Sequence, residues 1–164
     1  MLGIDACENS VLRATNHKKL DQRRLSNNLE YRLSTIENLE KEKGEAAFDI
    51  ITCMEVIEHV TAKGPFLGSV SKLLRPGGIL FMSTMDKSLG SLLGVKIAGE
   101  YSLRLVAAGT HDWNKFIDPG DLKKLLSVQG LDTIRLQGVI YNPISGKMQR
   151  VNCSTQYMLA ARKK

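Results

Sequence analysis

Apolar and polar residues alternate along this chain in blocks of differing period. Residues 2–4 form a short apolar stub that ends at Asp5 and reads as the tail of a strand. Residues 8–28 are polar and basic, with Val11, Leu12, Leu20 and Leu25 as sparse apolar positions, which suits a solvent-facing helix. Residues 29–33 alternate apolar and charged side chains, as a half-buried strand does. Residues 34–43 run acidic then basic and read as helix or loop. The run at 48–53 is almost continuously apolar and predicts a strand buried on both faces, as in a parallel sheet.

Residues 56–74 predict a helix with a break at Gly64-Pro65. Arg75-Pro76-Gly77-Gly78 predicts a turn, because proline presets φ and glycine supplies positive φ. Residues 79–83 predict a second buried strand. Asp118-Pro119-Gly120-Asp121 opens a short helix, with Asp121 as the expected cap for 122–129 and Gly130 as its stop. Residues 131–139 and 156–161 predict two final strands, separated by a turn at 141–146. Strand, helix, Pro-Gly turn, strand is the order of an α/β layered fold.

Composition narrows the class. At 164 residues the chain makes one domain, or most of one, with enough length to bury a core. The net charge of +6 favours anionic partners: nucleic acid, acidic lipid headgroups or phosphorylated ligands. Aromatics are only 5%, so a stacking surface for nucleic acid is not expected. The cysteines Cys7, Cys53 and Cys153 are odd in number and lack CxxC spacing, which argues against a disulfide framework or zinc ribbon. No window holds the roughly 20 apolar residues of a spanning helix. The opening residues do not read as a signal or transit peptide.

The densest chemistry follows the strand at 48–53. Glu55, Glu58 and His59 share a face if a helix begins there, and such a trio can hold a metal or a proton. The plain alternative is a capping glutamate, a surface glutamate and a general-base histidine. Asp5, at the end of its strand, suits a turn or helix cap. Met54 suits a core position, His111 a structural loop contact, and His17 a solvated helix face.

Four segments together resemble the ubiquinone-biosynthesis O-methyltransferases: CMEVIEHV at 53–60, LLRPGGILFMST at 73–84, GTHDWNKFI at 109–117 and YNPISG at 141–146. The resemblance runs over nearly the whole chain. It implies a Rossmann-like class I methyltransferase fold, an α/β fold with a mostly parallel sheet and an antiparallel C-terminal hairpin. In the family's own strand numbers the order is 3-2-1-4-5-7-6. It implies S-adenosylmethionine as cofactor and polyprenylated catechol or phenol precursors as substrates. By the same resemblance Asp5 binds the cofactor ribose, where a carboxylate accepts two hydroxyl hydrogens. Met54 packs near the cofactor, and Glu55, Glu58 and His59 ligate a divalent metal, magnesium being the expected ion. His111 is a weak catalytic candidate.

Residues 88–108 match an inserted segment associated with membrane lipid in the family. Lys96 and Arg104 beside its apolar stretches suit an anionic membrane surface, while a lid over the active site explains them equally well. Other ubiquinone-biosynthesis proteins are implied partners. The implied location is the matrix side of the mitochondrial inner membrane, or the cytoplasmic face of a bacterial one. The whole chain reads as a single, partial methyltransferase domain. The family's first strand and glycine-rich loop precede the acidic strand, and no GxGxG occurs here. The expectation is therefore a piece of a longer protein that binds cofactor poorly alone, because that loop needs bare backbone against the ligand. The competing reading is a non-catalytic basic fragment that binds lipid or an enzyme complex.

Overall fold

The computed structural model describes residues 1–20, 28–87, 115–142, 146–152 and 156–164. The chain divides into two compact units, Met1–Gly44 and Glu45–Lys164.

In the first unit, β1 (Leu2–Asp5) pairs in parallel with β2 (Glu30–Leu33), from Leu2 opposite Glu30 to Asp5 opposite Leu33. Between them runs α1 (Glu8–Leu20), which buries no residue, in keeping with its polar sequence. Gly3 is required where it stands: a Cβ there would lie 2.7 Å from the Tyr31 ring. The helix α2 (Ile36–Lys43) is capped by Thr35, whose hydroxyl accepts the Asn38 N–H at 3.3 Å. It ends at Gly44, whose φ of 72° suits a residue without Cβ.

In the second unit, β3 (Phe48–Met54) pairs in parallel with β4 (Leu74–Met85), and α3 (Lys63–Leu73) crosses between them. Next come α4 (Pro119–Val128), β5 (Leu131–Asn142), β6 (Lys147–Val151) and β7 (Gln156–Lys163). The sheet order is β3-β4-β7-β5-β6, with β7 antiparallel to both β4 and β5. The core lies under Leu67, Val70 and Leu73 of α3, Leu80 and Met82 of β4, and Leu122 and Leu126 of α4, all essentially inaccessible to water. Burying a leucine fully is worth roughly 1.5–3 kcal/mol, so these positions anchor the unit. The orders β2-β1 and β3-β4-β7-β5 match the 3-2 and 4-5-7-6 portions of the expected sheet.

Several boundaries differ from the sequence reading. The helix expected at 56–74 is a 3-10 turn (Ile57–His59) followed by α3. The break falls at 60–62, and Gly64-Pro65 sits inside the first turn of α3, where a missing N–H costs no helix bond. Arg75-Pro76-Gly77-Gly78 is a bulge within β4, because Phe48 faces Leu74 while Ile50 faces Ile79. A Cβ at Gly78 would lie 2.8 Å from the Arg75 carbonyl oxygen. Asp118, not Asp121, caps α4, accepting the Gly120 and Asp121 N–H groups at 2.7 and 3.3 Å. Gly130 does stop that helix, at φ 74°. The strand β6 was not expected, and β5 runs three residues further than its pattern indicated. Finally, β3 is not buried on both faces: Ile50 is 59% exposed and only Cys53 is buried. β4 is its sole partner strand among the described residues.

Candidate active site

Open α/β sheets bind ligands beyond the carboxyl ends of their parallel strands. In the second unit, β3 and β4 end there with Glu55, Ser83 and Thr84 close in sequence to those ends. Glu55 leaves β3 with φ 54°, an uncommon conformation for a non-glycine residue. Its N–H is held by Ser83, by the carbonyl oxygen at 3.1 Å and by Oγ at 3.2 Å. Ser83 Oγ in turn donates to Glu55 Oε1 at 2.5 Å, and Gln156 Nε2 donates to the same oxygen at 2.9 Å. Glu55 Oε2 is buried and has no hydrogen-bond partner among the described residues.

Glu58 is 3% exposed and accepts a hydrogen bond from Thr84 Oγ1 at 2.9 Å. Burial pushes its carboxyl above the usual range, and the nearby Glu55 charge adds to the shift. Thr84 and His59 work against it. Cys53 is pushed up to about 12, by burial first and then by the two glutamates. It is thus a protonated core thiol at neutral pH. Tyr157, opposite Thr84 on β7, donates its hydroxyl to the Ile117 carbonyl oxygen at 3.0 Å; burial raises its pKa and keeps it neutral.

The trio Glu55, Glu58, His59 is not displayed on one α-helical face. Glu55 lies on a left-handed kink outside any helix, and the next residues form a 3-10 turn. About 120° separates successive side chains there, so Ile57 and Glu58 turn inward while His59 is exposed. Among the described residues, no three His, Cys, Asp or Glu side chains stand close enough together to hold a metal ion. The donor chemistry nonetheless fits a hard cation in part: the bare Glu55 Oε2 and the buried Glu58 carboxyl are oxygen donors.

The remaining candidates fall as follows. Met54 ends β3 and is 43% exposed, so it is not a core methionine. Asp5 ends β1 in the first unit and is exposed; its Oδ1 accepts the Cys7 N–H at 2.7 Å, which is the turn role. Asp5, Ser10 and Tyr31 line a cavity of about 120 Å³. That is well below the roughly 300 Å³ of ordinary small-molecule sites. His17 is exposed on α1. His111, Lys96, Arg104 and the segment 88–108 lie outside the described residues. Ser83, Thr84 and Gln156 escaped the sequence reading. A Ser-Thr pair closing the apolar run ILFM was a signal for the first two, whereas Gln156 carried none.

A methyltransferase-domain family profile matches residues 1–136, and the chain belongs to that family. Its fold is that of the class I S-adenosylmethionine-dependent methyltransferases. It resembles a Thermotoga maritima S-adenosylmethionine-dependent methyltransferase with a TM-score of 0.68 and 15% identity, over 99% of this chain and 72% of that one. A Burkholderia thailandensis 1,6-didemethyltoxoflavin-N1-methyltransferase, solved with S-adenosylhomocysteine, aligns at 0.62 and 17% identity, over 99% and 60% of the two chains.

More particularly, the chain is similar to ubiquinone biosynthesis O-methyltransferases. It is 36% identical to the mitochondrial one of Dictyostelium discoideum, over 100% of this chain and 53% of that protein. It is 37% identical to that of Caulobacter sp. strain K31, over 98% and 62%. The chain therefore spans between half and two thirds of the length of these relatives.

Proposed function

We propose that this chain works as the methyltransferase domain of an O-methyltransferase of ubiquinone biosynthesis. It moves a methyl group from S-adenosylmethionine to a ring hydroxyl of a polyprenylated catechol-type precursor. The observation that carries the reading is the clustering of Glu55, Glu58, Ser83 and Thr84 at the carboxyl ends of two parallel strands, in a chain similar throughout to enzymes of that name.

A ring hydroxyl attacks a sulfonium methyl well only as its oxyanion, so the domain must favour loss of that proton. Glu55 Oε2 is an acceptor for it, and Ser83 with Gln156 holds the opposite oxygen. Glu58, buried and raised in pKa, is proposed to present its carboxyl beside that acceptor. Met54, exposed at the strand end, is proposed to pack against the cofactor, and Asp5 to accept its ribose hydroxyls. Glu55, Glu58 and His59 are proposed as ligands of a divalent ion, magnesium first. In the family reading such an ion lowers the pKa of a catechol hydroxyl it holds. The support is the bare Oε2; the exposed His59 has to turn toward it.

Location at the mitochondrial inner membrane or a bacterial cytoplasmic membrane, through residues 88–108, belongs to the same proposal. So do protein partners of the pathway. The test is methyl transfer by the complete protein, from labelled S-adenosylmethionine to a short-chain polyprenyl catechol, with and without EDTA. Labelled product that chelation abolishes supports the whole reading, and labelled product that survives chelation removes the metal. Cofactor binding with no product leaves the non-catalytic lipid- or complex-binding reading.

A further inference from the structure

Ser83 and Gln156 approach one oxygen of one carboxylate from two different strands. The Ser83 hydroxyl donates to Glu55 Oε1 at 2.5 Å while accepting the Glu55 N–H at 3.2 Å. The Gln156 amide donates to the same Oε1 at 2.9 Å. A carboxylate has about four acceptor positions, two on each oxygen. Here Oε1 receives both donors, and Oε2, itself buried, receives none among the described residues. A carboxylate recruited only to stabilise the fold would gain from placing one donor on each oxygen, because a bare buried acceptor is costly. The backbone is also held in place: Glu55 sits at φ 54° with its N–H on Ser83, which limits how its side chain can swing.

We infer that Ser83 and Gln156 are positioning residues that lock Glu55 so that Oε2 receives an electropositive group of the substrate complex. That group is the hydrogen of a ring hydroxyl, or a divalent cation holding that hydroxyl. The inference rests on the methyltransferase reading above. Neither residue touches the reacting atoms; both act through Glu55.

The test uses the complete protein as wild type, Ser83→Ala, Ser83→Thr and Gln156→Met. Calorimetry measures affinity for S-adenosylhomocysteine and, with that ligand bound, for 3,4-dihydroxybenzoate with and without magnesium. Steady-state kinetics gives kcat and KM. For Ser83→Ala and Gln156→Met, catechol affinity and kcat both fall on the order of tenfold. S-adenosylhomocysteine affinity stays unchanged, and Ser83→Thr, which keeps the hydroxyl, recovers most of the loss. A catechol-affinity loss of equal size without magnesium identifies the hydroxyl as the group met by Oε2. A loss seen only with magnesium identifies the cation.

Unchanged catechol affinity and kcat, with only a lower melting temperature, overturns the inference. So does a wild type that binds no catechol under either condition. If Ser83→Ala does not fold, the half-buried Gln156 position carries the test alone. A wild type that binds catechol but transfers no methyl group defeats the methyltransferase reading instead, and the affinity arm still decides the roles of Ser83 and Gln156.

Discussion

The two units hold their candidate carboxylates in opposite ways. Asp5 is exposed and hydrogen-bonded to Cys7, two residues away in sequence. Glu55 is held by Ser83, 28 residues away, and by Gln156, 101 residues away. A contact across two residues forms wherever the chain turns. A contact across a hundred exists only after β7 has paired with β4. The first carboxylate is therefore free to reorganise around a ligand, whereas the second is preorganised at the cost of a bare buried oxygen. Preorganisation is where catalysis gains most, since a fixed acceptor need not reorient during the reaction. Under the proposed function, the contrast puts binding in the first unit and chemistry in the second.

The largest expected effect tests whether the preorganised site depends on its sheet. Leu80 is fully buried on β4, three residues before Ser83. Leu80→Ala should cost about 2–5 kcal/mol in chemical denaturation. A loss below about 1 kcal/mol would mean that β4 is not the rigid support described.

Gly3→Ala probes the first unit in the same way. The 2.7 Å approach to Tyr31 forces that ring to move, for about 1–3 kcal/mol. A neutral result would show that the pocket beside Asp5 is soft. Asp5→Asn should then weaken S-adenosylmethionine binding to the complete protein by about tenfold, equivalent to about 1.4 kcal/mol, with little change in kcat. If kcat falls instead, the division between a binding unit and a chemical unit fails.

The fourth prediction is a slope with pH. The Glu58 carboxyl has its folded pKa raised above the ordinary 4.5 by burial. The folded state thus holds that proton more tightly than the unfolded chain does. The associated stability is complete below the ordinary value and is lost as pH rises through the raised one. Glu58→Gln, which cannot ionise, should flatten this part of a stability profile measured in denaturant between pH 4 and 8. An unaltered slope would sink the assignment.

The smallest effect belongs to the first unit. Arg32 grips Glu42 through two 2.8 Å hydrogen bonds and Glu30 through two more, at 2.8 and 3.2 Å. All three groups are solvent-accessible, and such pairs contribute little. Arg32→Ala should leave the melting temperature within error, in contrast to Leu80→Ala.

Much of the architecture was legible in the sequence alone. Apolar runs located β3, β4, β5 and β7, because burying a strand demands them. Gly130 marked the end of α4, because φ 74° there favours a residue without Cβ. The misses share a cause. Asp118 and Asp121 look alike in sequence, and only the path of the chain decides which one meets free N–H groups. β6 has no strong apolar run and exists because β5 offers it an edge. The hydrophobic run of β3 promised burial, yet exposure depends on which elements cover the strand.

By itself, then, the sequence determined the kind of fold and the donors available near a strand end: Asp5, Glu55, Glu58 and His59, with the family they resemble. Periodicity and residue chemistry are local properties, and the chain states them directly. Tertiary structure alone decided which side chains meet. It turned His59 outward through a 3-10 turn, buried Glu58 against Thr84, and brought Gln156 to Glu55. The reason is that strand register and backbone twist set distances between residues far apart in sequence, and no local pattern encodes those distances.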